Sequence, residues 1–473
     1  MIRNSIKNIC CIGAGYVGGP TMAVIADKCP NLNIYVVDKN QSRIKAWNSK
    51  DLEKLPVYEP GLKEIVERVR FKNLFFSSDI IQNIRKADAI FISVNTPIKT
   101  SGLGAGQASN LRWVEACTNE IAEYAEGHTI VIEKSTLPVR TAEIIKKILS
   151  SKLNKKNIRK TFSILSNPEF LAEGTAIDDL EDPDRVLIGG DEEDAINQLK
   201  EIYEKWVDPK KILTTNLWSS ELSKLVANAF LAQRISSINS ISALCEKTGA
   251  DITEVSRAVG FDSRIGAKFL KAGPGFGGSC FKKDILNLVY LSRYFGLNET
   301  ADFWEQVLFI NKWQKERIYS IIVNKLFGNI TNKKILILGF SFKANTNDIR
   351  ESPAIEIAQY LLSEGANLLI NDPKVDAEQI EISLNRIKSD SLKKDQNEYG
   401  IWSFEKDIYQ AFRNADAAII ITEWDVYKTI DWQKVSNLMN SPAWIFDTRS
   451  IISGEDVRSA GLEFWSVGNG NYI

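Results

Sequence analysis

The sequence has 473 residues, enough for about three domains of roughly 150 residues, each with its own core. Hydrophobic residues make up 44% and charged residues 25%, which is typical of globular proteins and excludes a mainly disordered chain. With 59 basic and 60 acidic residues the net charge is −1, so nucleic acid is not an expected partner.

The first part of the chain, up to residue 214, alternates short apolar runs with helical patterns, which is typical of a parallel sheet covered by helices. Strands are predicted at residues 6–12, 33–37, 89–94, 129–133 and 162–166. Residues 215–327 follow helical spacing and include one long helix that ends near Gly249.

Strand patterns return after residue 328, at residues 333–339, 367–371, 417–422 and 444–447. A charged stretch over residues 388–399 lacks periodicity and is predicted to be a surface loop. The predicted fold class is therefore α/β, with two Rossmann-like, doubly wound domains (1–214 and 328–473) joined by a central all-helical domain (215–327).

Cysteine usage and hydropathy indicate the compartment. Six cysteines in so long a chain do not suggest a disulfide framework and are typical of cytosolic thiols. No apolar run approaches the roughly 20 residues that cross a bilayer. A strand-like segment begins near Ile6, which leaves no room for a signal peptide. We expect a soluble, cytoplasmic protein that does not contact a membrane.

A glycine-rich loop follows the first predicted strand. Residues 13–18 have the pattern G-x-G-x-x-G, and Asp38 ends the next strand 20 residues after Gly18. Such glycines let the backbone approach a pyrophosphate at a helix N-terminus, and the aspartate would bind ribose hydroxyls and repel a 2′-phosphate. We predict NAD rather than NADP, with a tight turn that binds no ligand as the alternative. Arg43 is predicted either beside the adenine or ribose, or as an exposed helical arginine.

A second glycine-rich loop, residues 273–278, precedes Cys280 at the start of a predicted helix. Four glycines in six positions indicate unusual dihedrals or a nearby ligand. The helix dipole, with Lys282 and Lys283, would lower the thiol pKa from its reference of about 8.5. Asp284 would share a helix face with the cysteine and could activate a water. An inert cysteine at a flexible turn is the alternative.

The remaining five cysteines lack this setting and are interpreted as structural: Cys10, Cys11, Cys29, Cys117 and Cys245.

Other polar residues are candidates for chemistry. The single histidine, His128, is expected in a surface loop, which disfavours a histidine-based dehydrogenase. Lys224 and Asn228, spaced i,i+4, could stabilise an oxyanion, although the lysine could instead extend to solvent. Glu169 and Glu173 follow a strand at the edge where α/β sheets hold their sites, or are surface carboxylates.

The third segment has no G-x-G-x-x-G after its first strand, so a second dinucleotide is not expected. Phe342, Lys343 and Arg449 instead suit a nucleotide-like anion.

Together these residues resemble the UDP-glucose 6-dehydrogenase family, and its animal-type branch in particular, over nearly the whole chain. The resemblance is carried by residues 10–20, 94–97, 133–136, 167–174, 276–284 and 422–424. It implies that the two α/β domains bind NAD and a UDP-sugar. It also implies a homo-oligomer, with a dimer through the long helix and a hexamer left open.

The resemblance further implies a four-electron oxidation of UDP-glucose at C6 to UDP-glucuronate, with two NAD and no metal. Cys280 would form a thiohemiacetal and then a thioester. Lys224 and Asn228 would stabilise oxyanions, and Asp284 with Thr136 would position the hydrolytic water. Glu169 is a further acid/base candidate.

The resemblance also implies two sets of binding residues. Those for the cofactor are Gly13, Gly15, Tyr16, Val17, Gly18, Asp38, Arg43, Val94, Thr96, Ser135, Thr136, Glu173 and Arg350. Those for the substrate are Glu169, Phe170, Leu171, Lys224, Asn228, Arg264, Lys271, Phe276, Gly277, Phe342, Lys343 and Arg449. Arg264 would reach in from a neighbouring subunit.

Three alternatives remain open at this point. One is a related sugar-nucleotide dehydrogenase that acts on GDP-mannose or a UDP-N-acetylhexosamine with the same mechanism. Another is a two-electron hydroxyacid dehydrogenase, which would need no cysteine. The last is a nucleotide-sensing or scaffold protein on the same fold.

Overall fold

The computed structural model describes residues 5–135, 138–156, 160–391 and 399–470, apart from the side chains of residues 152–156 and 386–391. The chain divides into two compact units. The first comprises Met1–Ala227 and Leu286–Leu291, and the second comprises Asn228–Ile285 and Ser292–Ile473.

An eight-stranded sheet forms the centre of the first unit. Its strands are β1 (Asn8–Ile12), β2 (Asn33–Val37), β3 (Leu74–Ser77), β4 (Ala89–Ile92), β5 (His128–Glu133), β6 (Thr161–Ser166), β7 (Val186–Gly190) and β8 (Ile212–Thr215). Their order is β3-β2-β1-β4-β5-β6-β7-β8, and only β6 and β7 pair antiparallel. The first six strands therefore follow the Rossmann order.

Helices flank this sheet, and the last of them continues into the second unit. They are α1 (Gly18–Lys28), α2 (Gln41–Trp47), α3 (Leu62–Val69), α4 (Ile80–Lys86), α5 (Arg112–Tyr124), α6 (Thr141–Lys156), α7 (Ala176–Glu181), α8 (Glu193–Tyr203) and α9 (Leu217–Thr248). Alternate residues of β1 enter different cores, with Ile9 and Cys11 in one and Cys10 and Ile12 in the other. The sheet is therefore buried on both faces.

The second unit contains a six-stranded parallel sheet in the order β11-β10-β9-β12-β13-β14. Its strands are β9 (Lys334–Leu338), β10 (Asn367–Asn371), β11 (Trp402–Phe404), β12 (Ala417–Ile420), β13 (Trp444–Asp447) and β14 (Glu463–Ser466). The helices from the end of α9 onward are α10 (Ile252–Gly260), α11 (Phe281–Tyr294), α12 (Asn298–Lys325), α13 (Pro353–Ser363), α14 (Ala377–Ser391), α15 (Ile408–Phe412), α16 (Asp425–Lys428), α17 (Trp432–Ser436) and α18 (Gly454–Ser459).

The predicted α/β class with a helical central segment is confirmed, and the three domain boundaries stay a prediction. Each predicted strand is present, with ends shifted by at most two residues. Sequence patterns did not predict β3, β7, β8, β11 and β14, of which all but β7 are sheet edges. The loop predicted at 388–399 is wrong for its first residues, because α14 continues through Ser391. Within the described part of the chain, no helix has the length and apolar character to span a membrane.

A buried pair of carboxyl groups lies where β5 ends and α9 begins. Glu133 is 2% exposed, and neither of its carboxyl oxygens accepts a hydrogen bond from a described residue. Burial, together with the neighbouring Glu221 carboxylate, raises the pKa of Glu133 well above its ordinary value. Glu221 accepts hydrogen bonds from the N–H groups of Arg140 at 2.6 Å and Ala142 at 2.8 Å. We infer that Glu133 is protonated and donates to Glu221.

We expect Glu133→Gln to make the free energy of unfolding less dependent on pH. The unfolded chain releases the Glu133 proton above about pH 4.3, whereas the folded protein keeps it up to the raised pKa. Stability should therefore fall as the pH rises through this window. A glutamine would donate to Glu221 at every pH and remove the loss.

Denaturant unfolding at about pH 5 and about pH 8 measures this dependence. Glu126→Gln, at an exposed position before β5, is the matched control. Equal pH dependence in wild type and Glu133→Gln would contradict the shared proton.

Candidate active site

The first glycine loop joins β1 to α1. A Cβ added at Gly13, where φ is +113°, would lie 2.3 Å from the carbonyl oxygen of Ser93. A Cβ at Gly18 would lie 2.0 Å from the carbonyl oxygen of Gly13. A Cβ at Gly15 would meet no atom within 4 Å. The turn thus requires glycine at both ends, while Gly15 borders open space that suits a pyrophosphate.

Asp38 follows β2 and accepts a hydrogen bond from this loop. Its Oδ2 accepts hydrogen bonds from the Ala14 N–H at 3.0 Å and from Arg43 Nη1 at 2.9 Å. Its Oδ1 accepts from the Asn40 N–H at 2.8 Å. Arg43 is therefore held against the aspartate, and its side chain stays 37% exposed. Ribose binding by these two residues remains a prediction.

Most other predicted cofactor residues follow strands of the same sheet. Val94 and Thr96 follow β4, Ser135 follows β5, and Glu173 lies in the loop after β6. The Ser135 hydroxyl donates to the carbonyl of Val94 at 2.7 Å. Because the carboxyl ends of parallel strands meet at one edge, these residues share the edge that carries the glycine loop. Tyr16 and Val17 are half-buried within that loop.

The structure does not test two of the predicted cofactor residues. Thr136 lies outside the described residues. Arg350 belongs to the second unit, where its guanidinium pairs with Asp348 at 2.5 Å. Their predicted roles stay untested.

A buried ion pair joins Lys224 of α9 to Glu169 in the loop after β6. The Lys224 Nζ and Glu169 Oε1 atoms are 3.4 Å apart, and the side chains are 5% and 6% exposed. The lysine therefore does not extend to solvent, and Glu169 is not a surface carboxylate. The second oxygen of Glu169 has no hydrogen-bond partner among the described residues. Such a buried acceptor suits a ligand hydroxyl.

Phe170 completes this group. Its ring centroid lies 5.4 Å from the Lys224 Nζ and 3.8 Å from the guanidinium carbon of Arg185. Leu171 and Lys134 join Glu169 and Phe170 around a cavity of about 60 Å³. Three predicted substrate residues, Glu169, Phe170 and Leu171, thus share one lining in the first unit.

Cys280, in the second unit, immediately precedes the first residue of α11. It is partly exposed, whereas the other five cysteines are buried. Burial raises the pKa of all five, to about 12 for Cys11 and Cys117. This confirms that those five are buried core thiols. Cys280 alone of the six combines access to solvent with a helix N-terminus, where a thiolate is favoured.

Asp284 lies one turn into α11. Its Oδ2 accepts a hydrogen bond of 2.6 Å from the Asn228 Nδ2, and the two side chains are 1% and 6% exposed. Its N–H donates to the Cys280 carbonyl at 2.9 Å. The structure thus brings together three predicted catalytic residues of the second unit.

Predicted sugar-nucleotide residues surround the second glycine loop. A Cβ at Gly277 would lie 2.9 Å from the Cβ of Phe342, so the loop packs directly on that side chain. Lys343 Nζ lies 5.6 Å from the Phe342 ring centroid. Arg449 approaches the loop at Gly273, where an added Cβ would be 3.3 Å from its Nη1.

Arg264 and Lys271 occupy exposed positions. Arg264 pairs with Asp262 at 2.6 Å within its own chain. Lys282, expected to act on the thiol, pairs instead with Glu351 at 2.8 Å, so that carboxylate offsets its charge.

Two residues that contact the first-unit site were not predicted from the sequence. Arg185 stacks on Phe170, and the Glu59 carboxylate accepts the N–H of Gly174 at 2.8 Å. Neither belongs to a periodic pattern, and the Glu59 bond joins residues 115 positions apart. Only the fold shows that they are neighbours.

Comparison with known proteins places the chain in a family. Residues 7–207 match the NAD binding domain of the UDP-glucose/GDP-mannose dehydrogenase family, residues 218–313 its central domain, and residues 336–454 its UDP binding domain. The chain belongs to this family. NAD is therefore its cofactor, as predicted, and the open loop at Gly15 fits a dinucleotide.

Similar proteins span nearly the full chain. UDP-glucose 6-dehydrogenase of Bos taurus is 54% identical over 469 residues, covering 98% of this chain and 93% of the relative. UDP-glucose 6-dehydrogenase 4 of Arabidopsis thaliana is 54% identical over 476 residues, with coverage of 97% and 96%. The solved structure of a UDP-glucose dehydrogenase from the hyperthermophilic archaeon Pyrobaculum islandicum is 28% identical, with a TM-score of 0.82 and 99% coverage of both chains.

We expect Asp38→Asn to weaken the choice of NAD over NADP. The change removes the negative charge that opposes a 2′-phosphate and leaves Arg43 available to it. The ratio of kcat/KM for NAD to that for NADP should fall by about tenfold, which corresponds to about 1.4 kcal/mol. Steady-state kinetics with each cofactor measures the ratio, with exposed Asp191→Asn as control. An unchanged ratio would remove Asp38 from cofactor selection.

Proposed function

We propose that this chain oxidises UDP-glucose at C6 to UDP-glucuronate with two NAD, through an intermediate bound to Cys280. The observation that carries the proposal is the partly exposed Cys280 thiol at the N-terminus of α11, beside the Asn228–Asp284 hydrogen bond. Relatives named UDP-glucose 6-dehydrogenase, at 54% identity over nearly the whole chain, support the substrate.

Cys280 acts as the nucleophile. Its sulfur attacks the C6 aldehyde formed by the first oxidation, and the resulting thiohemiacetal becomes a thioester in the second. Bound NAD supplies the acceptor for the hydride in both oxidations. A thiolate is the reactive form, and the helix dipole of α11 favours it.

Lys224 and Glu169 serve the oxygen atoms of the reacting carbon. The buried Lys224 ammonium stabilises negative charge that develops on the carbonyl oxygen, because the attraction between opposite charges is stronger where water is excluded. Glu169, whose second oxygen has no described partner, exchanges a proton with a sugar hydroxyl.

Asp284 and Asn228 serve the hydrolysis of the thioester. The Asn228 amide fixes the orientation of the Asp284 carboxylate through its 2.6 Å bond. Asp284 then takes a proton from the attacking water, with Thr136 as a second contact, and Cys280 leaves as a thiolate.

The assembly we propose is a homodimer through α9, with a hexamer as the open alternative. Large apolar side chains stay exposed on this helix, including Phe230 at 53% and Leu244 at 58%. Arg264 would act at a neighbouring subunit. A cytoplasmic location is supported by the six cysteines, which form no disulfide and suit a reducing compartment.

We expect purified protein with UDP-glucose and excess NAD to yield two NADH and one carboxylate per sugar nucleotide. The second oxidation follows because the aldehyde stays bound to Cys280 as a thiohemiacetal. Absorbance of NADH and chromatography of the product measure the ratio. GDP-mannose and UDP-N-acetylhexosamines, run in parallel, separate the related enzymes. One NADH with a released aldehyde would contradict the proposal.

We expect Cys280→Ser to lose steady turnover by about a thousandfold or more while it keeps NAD affinity. A hydroxyl ionises far less readily than a thiol and is a poorer nucleophile without a base. Steady-state assays of NADH formation measure the turnover, and titration with NAD measures the NAD affinity. Cys245→Ser, at a buried thiol of α9, is the matched control and should stay active. Full activity of Cys280→Ser would exclude the thioester route.

A further inference from the structure

The loop before Cys280 is buried although it belongs to no helix or strand. Gly273, Pro274, Gly275 and Phe276 are all buried. Buried peptide groups need hydrogen-bond partners, and a loop has no regular backbone neighbour to provide them. The partners must therefore come from elsewhere in the second unit.

Three buried side-chain amides provide them. Asn239 of α9 accepts the Gly273 N–H at 2.8 Å, and Gln314 of α12 donates to the Gly273 carbonyl at 2.8 Å. Asn311 of α12 accepts the Phe276 N–H at 2.8 Å and donates to the Phe276 carbonyl at 3.1 Å. We call Asn239, Asn311 and Gln314 the amide clamp.

The orientation of these amides follows from their neighbours. Asn311 bonds both the N–H and the carbonyl of Phe276. In a flipped amide, the Asn311 amine would face the N–H donor and the Asn311 oxygen would face the carbonyl acceptor, and both bonds would be lost. Arg317 Nε donates to Gln314 Oε1 at 3.0 Å and thereby directs the Gln314 amine to Gly273. Arg317 is itself paired with Glu246 at 2.7 Å.

The fit between loop and clamp is close. Gly275 has a φ of +113°, and an added Cβ would lie 2.7 Å from Asn311 Oδ1. Phe276 packs edge-on against Phe281, the residue after Cys280, with ring centroids 5.7 Å apart. A displacement of the Phe276 backbone would thus shift the Phe281 ring, which belongs to the residue next to Cys280.

We propose that the amide clamp positions Phe276 and Gly277 to bind the sugar nucleotide and is a determinant of its KM. This inference rests on the proposed function, because it assigns the loop to that substrate. The clamp residues act through the loop backbone and do not touch the substrate themselves.

The test combines kinetics with alkylation of Cys280. Asn311→Leu removes both bonds to Phe276 at similar size and should raise KM for UDP-glucose about tenfold, which corresponds to about 1.4 kcal/mol. The KM for NAD should stay within about twofold, since the clamp does not hold the NAD binding domain. Asn311→Asp keeps the acceptor for the Phe276 N–H and should restore part of the affinity.

Two further variants keep the test decisive. Gly275→Ala disturbs the same contact from the loop side, and it carries the test if Asn311→Leu does not fold. Asn324→Leu, at an exposed position of α12, is the matched control and should behave as wild type. Thermal unfolding of each variant reports folding separately.

Wild-type KM for UDP-glucose in both Asn311→Leu and Gly275→Ala would overturn the clamp, as would equal rises in both KM values. If the wild type does not oxidise UDP-glucose, the proposed function fails instead. The clamp is then judged by the rate of Cys280 alkylation, which should change in both variants and not in Asn324→Leu.

Discussion

A buried peptide segment outside any helix or sheet lacks the regular backbone partners of those structures and needs other hydrogen-bond partners, and the loop before Cys280 finds several of them on side chains. Its glycines allow a course that other residues would not, as at Gly275 with φ +113°. That freedom alone would leave the loop undefined. The amides of Asn239, Asn311 and Gln314 select one course, which places Cys280 at the start of α11.

In the first unit, the corresponding constraint is the burial of charged side chains. A buried ion pair adds little net stability, because the cost of removing both charges from water offsets their attraction. The pair of Lys224 and Glu169 is nonetheless 5% and 6% exposed. A cation kept at this cost is suited to stabilise a charge that appears only during the reaction. In the Glu133–Glu221 pair, burial instead raises the pKa of Glu133, which favours its neutral acid form.

Local motifs made much of this predictable. The turn at Gly13 and the thiol at Cys280 each belong to a short segment whose residue types predict a dinucleotide-binding loop in one case and a reactive cysteine in the other. The edge strands β3, β8, β11 and β14 were missed because each has three or four residues and a sheet neighbour on only one side. β7 was missed because it departs from the parallel rhythm. Asn311 was missed because its partner Phe276 lies 35 residues away in the sequence.

The proposed mechanism requires that a sugar carbon becomes covalently attached to Cys280. The Asp284→Asn variant is incubated with UDP-glucose and NAD, quenched in acid, and analysed by mass spectrometry as the intact protein and, after digestion, as peptides. Loss of the Asp284 carboxylate should slow hydrolysis and let the thioester accumulate. We expect a mass increase of one sugar nucleotide on the peptide that contains Cys280. Unmodified protein throughout, from a variant that still forms NADH, would contradict it.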